Sequence, residues 1–303
     1  MISCHLPMRQ LPVVLPPQAD ELLSSWINRH AVFYGVAGGH LLRHCSLEAA
    51  SLRELDLNLS SFDQRRLAHL FRHDPRAIRN MTQMRERPRP PGLIATTRPM
   101  QVCRRCVMHH RVEPATHGTR LRSWMEGWRI NCPVCGTTME DARPLDQLTR
   151  VDPDAPLLVA VAEPARQGEL LMTRATREGR RGIALIDLMR CLLLPMASKL
   201  RGTLIANEIP RLLDIIVPGF DAFLHRWYPG FRRPGTLLLP LSVRIPVLAG
   251  VARVAREPNR WAESLLDAVA EIERPRLVAC LGGLMAGRAW PHDPVQTGAC
   301  VFR

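Results

Sequence analysis

Cys103-Arg-Arg-Cys106 and Cys132-Pro-Val-Cys135-Gly136 are two CxxC pairs separated by 25 residues. Each pair presents two sulfur ligands from one tight turn, and two pairs complete the tetrahedron that Zn²⁺ requires, with Zn–S distances of about 2.3 Å. Gly136 tolerates a positive φ just past the last cysteine. The other cysteines are scattered singly, unlike a secreted disulfide framework: Cys4, Cys45, Cys191, Cys280 and Cys300. The spacing therefore predicts a structural zinc site formed by Cys103, Cys106, Cys132 and Cys135.

Composition indicates a soluble globular protein of about two domains, since domains run about 100–200 residues. The 303 residues are 46% apolar, which is enough for a sizeable core. The first residues lack the apolar region of a secretion signal. The longest apolar stretch, residues 183–196, contains Asp187 and Arg190 and is too short to cross a bilayer. We therefore expect a cytoplasmic protein that binds no membrane.

Positive charge is concentrated around the first cysteine pair. The chain carries a formal net charge of +13, and 14 arginines lie between Arg65 and Arg122 against three acidic residues. Codon bias accounts for the choice of arginine over lysine, but it does not account for the scarcity of acids in this segment. A concentrated basic segment attracts polyanions, and we expect nucleic acid to be the one that binds here.

Two short helices in this segment have the proportions of a helix-turn-helix. Ser61-Phe-Asp-Gln64 is typical of a capping box, and Asp74-Pro75 of a second helix start with Asp as its cap. On the outward face, arginines would contact phosphates or guanine and Asn80 would contact adenine. The nucleic-acid contacts predicted for this pair and for the first cysteine pair are Arg65, Arg66, Arg72, Arg76, Arg79, Asn80, Arg104 and Arg105.

The predicted fold class is mainly α-helical. A first helix is expected from about Asp20 to Tyr34, with Asp20 as its cap and with Gly35, Gly38 and Gly39 ending it. Proline-rich residues 86–92 and residues 152–156 are predicted boundaries. The resulting division is an N-terminal helix-turn-helix-like domain (1–90), a central Cys4 zinc ribbon or finger (91–150) and a helical C-terminal domain (151–303).

Apolar spacing in the C-terminal domain predicts a buried helix through residues 183–194. Further helices are expected over 205–217, 219–228, 246–256, 260–273 and 276–287. The clearest amphipathic segment has five apolar residues on one face: Trp261, Leu265, Leu266, Val269 and Ile272.

Signatures of catalysis are weak. A four-thiolate site has no open coordination position for water or substrate. A zinc deaminase needs His-x-Glu before Pro-Cys-x-x-Cys, and this order is absent. We therefore predict that the protein is not an enzyme. His109, His110 and His117 lie between the cysteine pairs and are an alternative ligand set or a second metal site, although four cysteines already complete one.

Two motifs resemble the TniQ/TnsD family of transposition target-selection proteins. They are Leu11-Pro-x(8)-Glu21-Leu-Leu-Ser-Ser-Trp26-Ile-x-Arg29 and Trp128-Arg129-Ile-x-Cys132-Pro-x-Cys135-Gly. The resemblance covers about residues 11–145 and does not extend to the C-terminal half. The family commonly has His at the position of Cys135, and a thiolate there preserves tetrahedral zinc.

The resemblance implies a non-enzymatic factor that selects a target and recruits an AAA+ ATPase, which then licenses a transposase. The target is DNA or a guide-RNA complex, and a DNA-bound protein would associate with the nucleoid. The implied zinc ligands are the four cysteines, and Trp26, Arg29, Trp128 and Arg129 match positions that pack and orient the fold. Two alternatives stay open, a zinc-ribbon helix-turn-helix transcription regulator and a pure protein adaptor.

Overall fold

The computed structural model describes residues 10–83, 93–95, 98–142, 151–152, 154–175, 179–197, 209–228 and 239–286. Within these ranges the fold is mainly helical, as predicted, with thirteen α-helices and one two-stranded sheet. The predicted linker at residues 86–92 lies outside the described residues. The elements are α1 (Leu23–Phe33), α2 (Gly38–His44), α3 (Leu52–Asn58), α4 (Ser61–Leu70), α5 (Pro75–Asn80), β1 (Gln101–Val102), α6 (Arg104–Val112), β2 (Glu140–Asp141), α7 (Pro156–Ala175), α8 (Gly179–Cys191), α9 (Leu212–Ile216), α10 (Phe220–Trp227), α11 (Leu241–Arg256), α12 (Pro258–Ala268) and α13 (Arg274–Ala286).

Helices α1 to α5 enclose a core around Trp26. The Trp26 side chain is fully buried, and its ring lies 4.8 Å from the Phe71 ring and 5.0 Å from the His30 ring. Its indole N–H donates to the carbonyl of Leu15 at 2.8 Å. The contact ties the extended segment before α1 to the helix, because a buried indole N–H needs an acceptor.

His30 is held neutral inside this core. Its Nδ1 lies 2.8 Å from the carbonyl of Trp26, while its Nε2 accepts the amide N–H of Leu15 at 2.9 Å. A neutral imidazole with its proton on Nδ1 satisfies both contacts. Burial lowers the His30 pKa from 6.5 to about 4, and the charge of Arg29 acts in the same direction.

We expect the His30 imidazole to make the folded state sensitive to acid. Because the folded pKa lies below the unfolded one, its contribution is complete above pH 6.5 and is lost as pH falls toward about 4. The loss in free energy of unfolding should reach about 3 kcal/mol. Urea unfolding at several pH values measures this loss. The variant His30→Gln, which cannot take up a proton, separates the contribution of His30 from that of the carboxylates. An equal pH slope in both proteins would contradict the assignment.

The start of α1 differs from the predicted one. Asp20 has a positive φ of 57° and lies before the helix, which begins at Leu23. The cap comes instead from Asp56 of α3, whose Oδ1 accepts the amide N–H of Ser24 at 2.9 Å and whose Oδ2 accepts its hydroxyl at 2.6 Å. Phe33, in the last turn of α1, is 51% exposed.

Other helix boundaries are also corrected. The cap of α4 is Ser60, one residue before the expected Ser61, and its hydroxyl accepts the amide N–H of Asp63 at 2.9 Å. Gly38 and Gly39 begin α2 rather than end α1. The start of α5 is confirmed, with the Asp74 carboxylate accepting from the amide of Arg76 at 2.7 Å.

The C-terminal helices form a bundle in which α7 and α11 pack most closely. A Cβ at Gly168 of α7 would overlap the carbonyl oxygen of Leu248 in α11, so only glycine permits this approach. Helix α8 packs on α13. None of the described helices combines the length and the apolar character that crossing a bilayer requires.

Several C-terminal predictions are wrong in detail. The longest helix, α7, contains Pro164 and had no helix predicted for it, and α11 begins five residues before Pro246. The amphipathic helix expected to reach residue 273 ends at Ala268, which leaves Ile272 88% exposed. Ile183, expected to be buried, is 48% exposed. Of the helix predicted over 205–217, the described part contains only α9, and residues 205–208 are not described.

Packing crosses the predicted boundary at residue 150. Leu93, Ile94, Trp128 and Ile130 belong to the same hydrophobic core as the C-terminal helices. The division into three domains stays a prediction, but the second and third share a core through these side chains.

Candidate metal centre and its buried polar frame

Four cysteine sulfur atoms converge beside the two-stranded sheet. The ligand atoms of Cys103, Cys106, Cys132 and Cys135 all lie within 4.8 Å of one another. The Sγ–Sγ distances are 3.3 Å between Cys103 and Cys135, 3.6 Å between Cys106 and Cys132, and 3.8 Å between Cys106 and Cys135. A regular tetrahedron with Zn–S distances of about 2.3 Å has S–S edges of about 3.8 Å. The four sulfurs therefore can hold one metal ion.

Local structure explains how each pair presents two sulfurs. Cys103 is the N-cap residue of α6, so the first turn of the helix carries Cys106 back beside it. In the second pair, Gly136 has a φ of 73° and its amide donates to the carbonyl of Cys132 at 2.9 Å. The amide of Cys132 in turn donates to Thr137 at 2.9 Å. Both pairs are tight turns fixed by backbone hydrogen bonds.

Electrostatics disfavour free thiolates among these sulfurs. Burial raises the pKa of Cys132 to about 11 and raises the pKa of Cys106 as well. Burial also opposes ionisation of Cys135, but hydrogen bonds with Thr137, Cys103 and Cys132 together outweigh it and lower the pKa of Cys135 to about 6. Four thiolates at these distances repel one another, and a bound cation removes that repulsion. The donor set thus fits a closed four-thiolate centre with no position left for substrate.

The histidines between the pairs do not form a second centre. Among the described residues, the four cysteines are the only group of metal-binding side chains that converges. His110 is buried, whereas His109 and His117 are exposed.

A buried ion pair joins two residues of the Leu11–Arg29 motif, the first of the two motifs that resemble the TniQ/TnsD family. Glu21 and Arg29 are both nearly inaccessible, and the guanidinium binds the carboxylate through two contacts of 2.8 and 2.7 Å. Arg29 also donates to the carbonyls of Pro16 and Ala115. Because Ala115 follows α6, the pair connects the N-terminal helices to the cysteine-containing module.

A second series of buried ion pairs runs through the cysteine-containing module. Arg122 pairs with Asp20 at 3.2 Å and with Glu126 at 2.6 Å, and Glu126 also pairs with Arg129 at 2.7 Å. Arg129 then lies 3.9 Å from Glu169 of α7. These contacts link the N-terminal unit, the module and the C-terminal bundle.

Two further buried contacts connect the module to the bundle. Glu169 accepts the amide N–H groups of Ile130 and Asn131 at 3.2 Å each. Arg244 of α11 donates to the side chain of Gln101 in β1 and to the carbonyl of Arg129. Burial raises the pKa of Glu169, against the opposing hydrogen bonds of Asn131. The cysteine-containing turns are thereby held against two other units.

Most of these buried charged contacts were not predicted from the sequence. The available signal was the spacing of Arg122, Glu126 and Arg129, whose charges recur three and four residues apart along the chain. Nothing in the sequence near Glu169 or Arg244 indicated a partner more than 35 residues away.

The predicted nucleic-acid residues lie in two regions, the α4–α5 helix pair and the first turn of α6. In the α4–α5 pair, Arg65, Arg76 and Asn80 are exposed. Arg66 donates to the carbonyl of Cys45 at 2.7 Å, and Arg72 to that of Leu11 at 3.1 Å, so both make contacts within the chain. Arg79 is half-buried near the end of α5.

The other two predicted contacts lie in the first turn of α6. Arg104 and Arg105 are exposed and stand between Cys103 and Cys106 in the chain. Arg104 is 3.9 Å from Glu140, with both side chains more than half exposed, so this pair is weak. Both guanidinium groups therefore face solvent beside the metal-binding sulfurs.

Comparison with protein-family models matches residues 12–148 to TniQ. Searches of the curated proteins and of the solved structures give no match. The matched range contains the Glu21–Arg29 pair, the four cysteines and the Arg122–Arg129 chain of charges, and it ends before α7. Residues 12–148 therefore form a TniQ domain, and the TniQ family is associated with transposition.

Proposed function

We propose that this protein is a non-enzymatic target-selection factor of DNA transposition that binds DNA through arginines on a zinc-stabilised surface. The observation that carries the proposal is the position of Arg104 and Arg105. They occupy the first turn of α6 inside a TniQ domain, directly between two metal-binding cysteines.

Zinc is the metal that suits this site. Four thiolates in a tetrahedron are the usual structural zinc set, and such a site supplies folding free energy rather than chemistry. The described part of the module has one α-helix of nine residues, two short 3-10 helices and two strands of two residues each. A core this small needs the metal to hold its turns together.

DNA binding is supported by charge and exposure. Arg65, Arg76, Arg104 and Arg105 are exposed, and acids are scarce in this segment. Guanidinium groups on a rigid helix bind phosphate with little further loss of conformational freedom. In this proposal Arg66 and Arg72 stabilise the helix pair, and the other predicted residues contact DNA.

The partners follow from the family and are part of the proposal. The bound protein would recruit an AAA+ ATPase and through it a transposase, which carries the catalytic residues. A target presented as a guide-RNA complex would be recognised through protein contacts instead of DNA contacts.

Salt titration tests the DNA contacts. We expect binding to a labelled duplex to weaken linearly in log–log form, with a slope of about −0.9 for each phosphate contacted. The Arg104→Gln, Arg105→Gln double variant should bind more weakly and should lower the slope by about two units, since it removes two phosphate contacts. Fluorescence anisotropy across a range of potassium chloride concentrations gives both quantities.

The matched control is a double variant of exposed arginines on α7, Arg166→Gln with Arg174→Gln, which lowers the net charge equally. This control should change the slope little. A flat salt dependence, or no binding to any duplex, would refute direct DNA contact and would favour the adaptor role. An equal effect of both double variants would show that net charge alone is responsible.

A further inference from the structure

A groove lies in the C-terminal bundle, beyond the end of the TniQ match. It has a volume of about 370 Å³ and is bounded by α7, α9, α11 and α12. Its floor is apolar, formed in part by Pro164, Ile215, Pro218 and Ala252. Cavities of about 300–1,000 Å³ with apolar walls and a few polar groups are typical of ligand sites.

Three arginines stand around this apolar floor. Arg253 donates through Nη1 to the carbonyl of Ile216 at 2.7 Å, which points the guanidinium along the groove wall. Arg260 pairs with Glu257 at 3.0 Å on the exposed rim. Arg256 is exposed and makes no hydrogen bond or ion pair with any described residue. The rim thus carries three positive charges against one negative charge.

The groove also contains a half-buried tryptophan. The Arg260 guanidinium lies 4.9 Å from the centre of the Trp261 ring, so one face of the ring is already occupied. Stacking of a nucleic-acid base needs an open aromatic face. The single occupied ring face leaves less room for a base to stack, and the carboxylate of Glu257 and the aliphatic floor are unfavourable for phosphate groups. They suit a ligand with carboxylates and aliphatic side chains.

We propose that this groove binds an acidic, aliphatic-rich peptide segment of a partner protein. Carboxylates of the segment pair with Arg253 and Arg256 at the rim, and a Leu or Ile side chain packs on the floor between them. Carboxylate and guanidinium form two-pronged charge-assisted hydrogen bonds, which supply orientation as well as affinity. The aliphatic contact excludes water from these pairs and strengthens them.

Charge disfavours a second copy of this chain as the occupant. The protein carries +13, so two copies repel each other, whereas an acidic partner is attracted. The proposal does not depend on DNA binding or on the metal, because every groove residue lies after residue 148.

The test uses the full chain and a fluorescein-labelled peptide of about a dozen residues in which Glu alternates with Leu. We expect saturable binding by fluorescence anisotropy. Arg256→Glu should weaken it by at least about tenfold, because an unpaired groove charge is reversed. Arg166→Glu is the matched control, since this exposed α7 arginine lies outside the groove and gives the same change in net charge. It should weaken binding by less than about twofold.

Four comparisons make the proposal falsifiable. A peptide with Gln in place of Leu should bind several-fold more weakly, and equal affinity would overturn the role of the apolar floor. Equal losses with Arg256→Glu and Arg166→Glu would show attraction by net charge alone. Displacement of the peptide by oligothymidylate, with the same dependence on Arg256, would make the groove a nucleic-acid site. Self-association that Arg256→Glu abolishes in sedimentation would assign it to a second copy.

Discussion

Cys132→Ser should release the bound metal and unfold the central module. Serine does not ionise at neutral pH, so the tetrahedron loses one of its four thiolate ligands. Structural zinc contributes about 10–16 kcal/mol of apparent binding free energy in finger-sized peptides, which exceeds what so small a module can supply by packing. The loss of structure should extend into the C-terminal bundle, because Trp128 and Ile130 lie in its core. Metal content by mass spectrometry and limited proteolysis measure the two consequences.

Two variants control for the loss of a cysteine. Cys45→Ser changes a buried cysteine of the N-terminal core and should keep about one metal ion per chain. Cys135→His replaces a thiolate with an imidazole, which preserves four ligands, and should also keep the metal. A Cys132→Ser protein that has no metal yet unfolds cooperatively at the unchanged urea midpoint would show that the cysteines do not hold the fold.

Arg29→Met should cost about 3–5 kcal/mol of the free energy of unfolding. The substitution leaves the Glu21 carboxylate buried without its two guanidinium contacts. It also removes a donor from the carbonyls of Pro16 and Ala115. Because small proteins are stable by only about 5–15 kcal/mol, this is a large fraction of the total. Urea unfolding followed by tryptophan fluorescence gives the value.

A double-mutant cycle measures the interaction free energy between Glu21 and Arg29 apart from their other contacts. Combining Arg29→Met with Glu21→Gln should cost less than the sum of the two single changes, since no uncompensated carboxylate remains. Arg166→Met is the exposed control, because its contact with Glu163 is 3.8 Å long and both side chains are 67% exposed. Its cost should be below about 0.5 kcal/mol. Strictly additive effects of the two buried changes would mean that Glu21 and Arg29 act independently.

Local patterns predicted the parts of this fold that depend on near neighbours. The two cysteine pairs are each closed by one turn, so their spacing was sufficient to predict that the four sulfurs converge. Asp74-Pro75 begins α5 because both the cap and the fixed φ of proline act within one turn. The predicted capping box was displaced by one residue: Ser60 and Ser61 are equally good caps by residue type, and the structure uses Ser60.

Predictions failed where distant residues supply a contact. Asp20 has the right chemistry to cap α1, but its carboxylate faces Arg122 and Ser123, about 100 residues along the chain. Asp56 supplies the cap instead. Helix α7 tolerates Pro164 because burial against α11 outweighs one lost hydrogen bond, a gain that no local pattern reveals.

The sequence by itself predicted that the four cysteines converge, located the basic segment and carried the resemblance to TniQ, because each depends on residue types at short fixed spacings. Only the tertiary structure decided which charges are buried together and which stay free for a partner. Arg29 and Arg72 form hydrogen bonds within the chain, whereas the side chains of Arg104 and Arg256 face solvent. The physical reason is that the partner of a buried charge is chosen by packing across the whole molecule. The spacing of residues along the chain therefore does not predict which residue pairs with a buried charge.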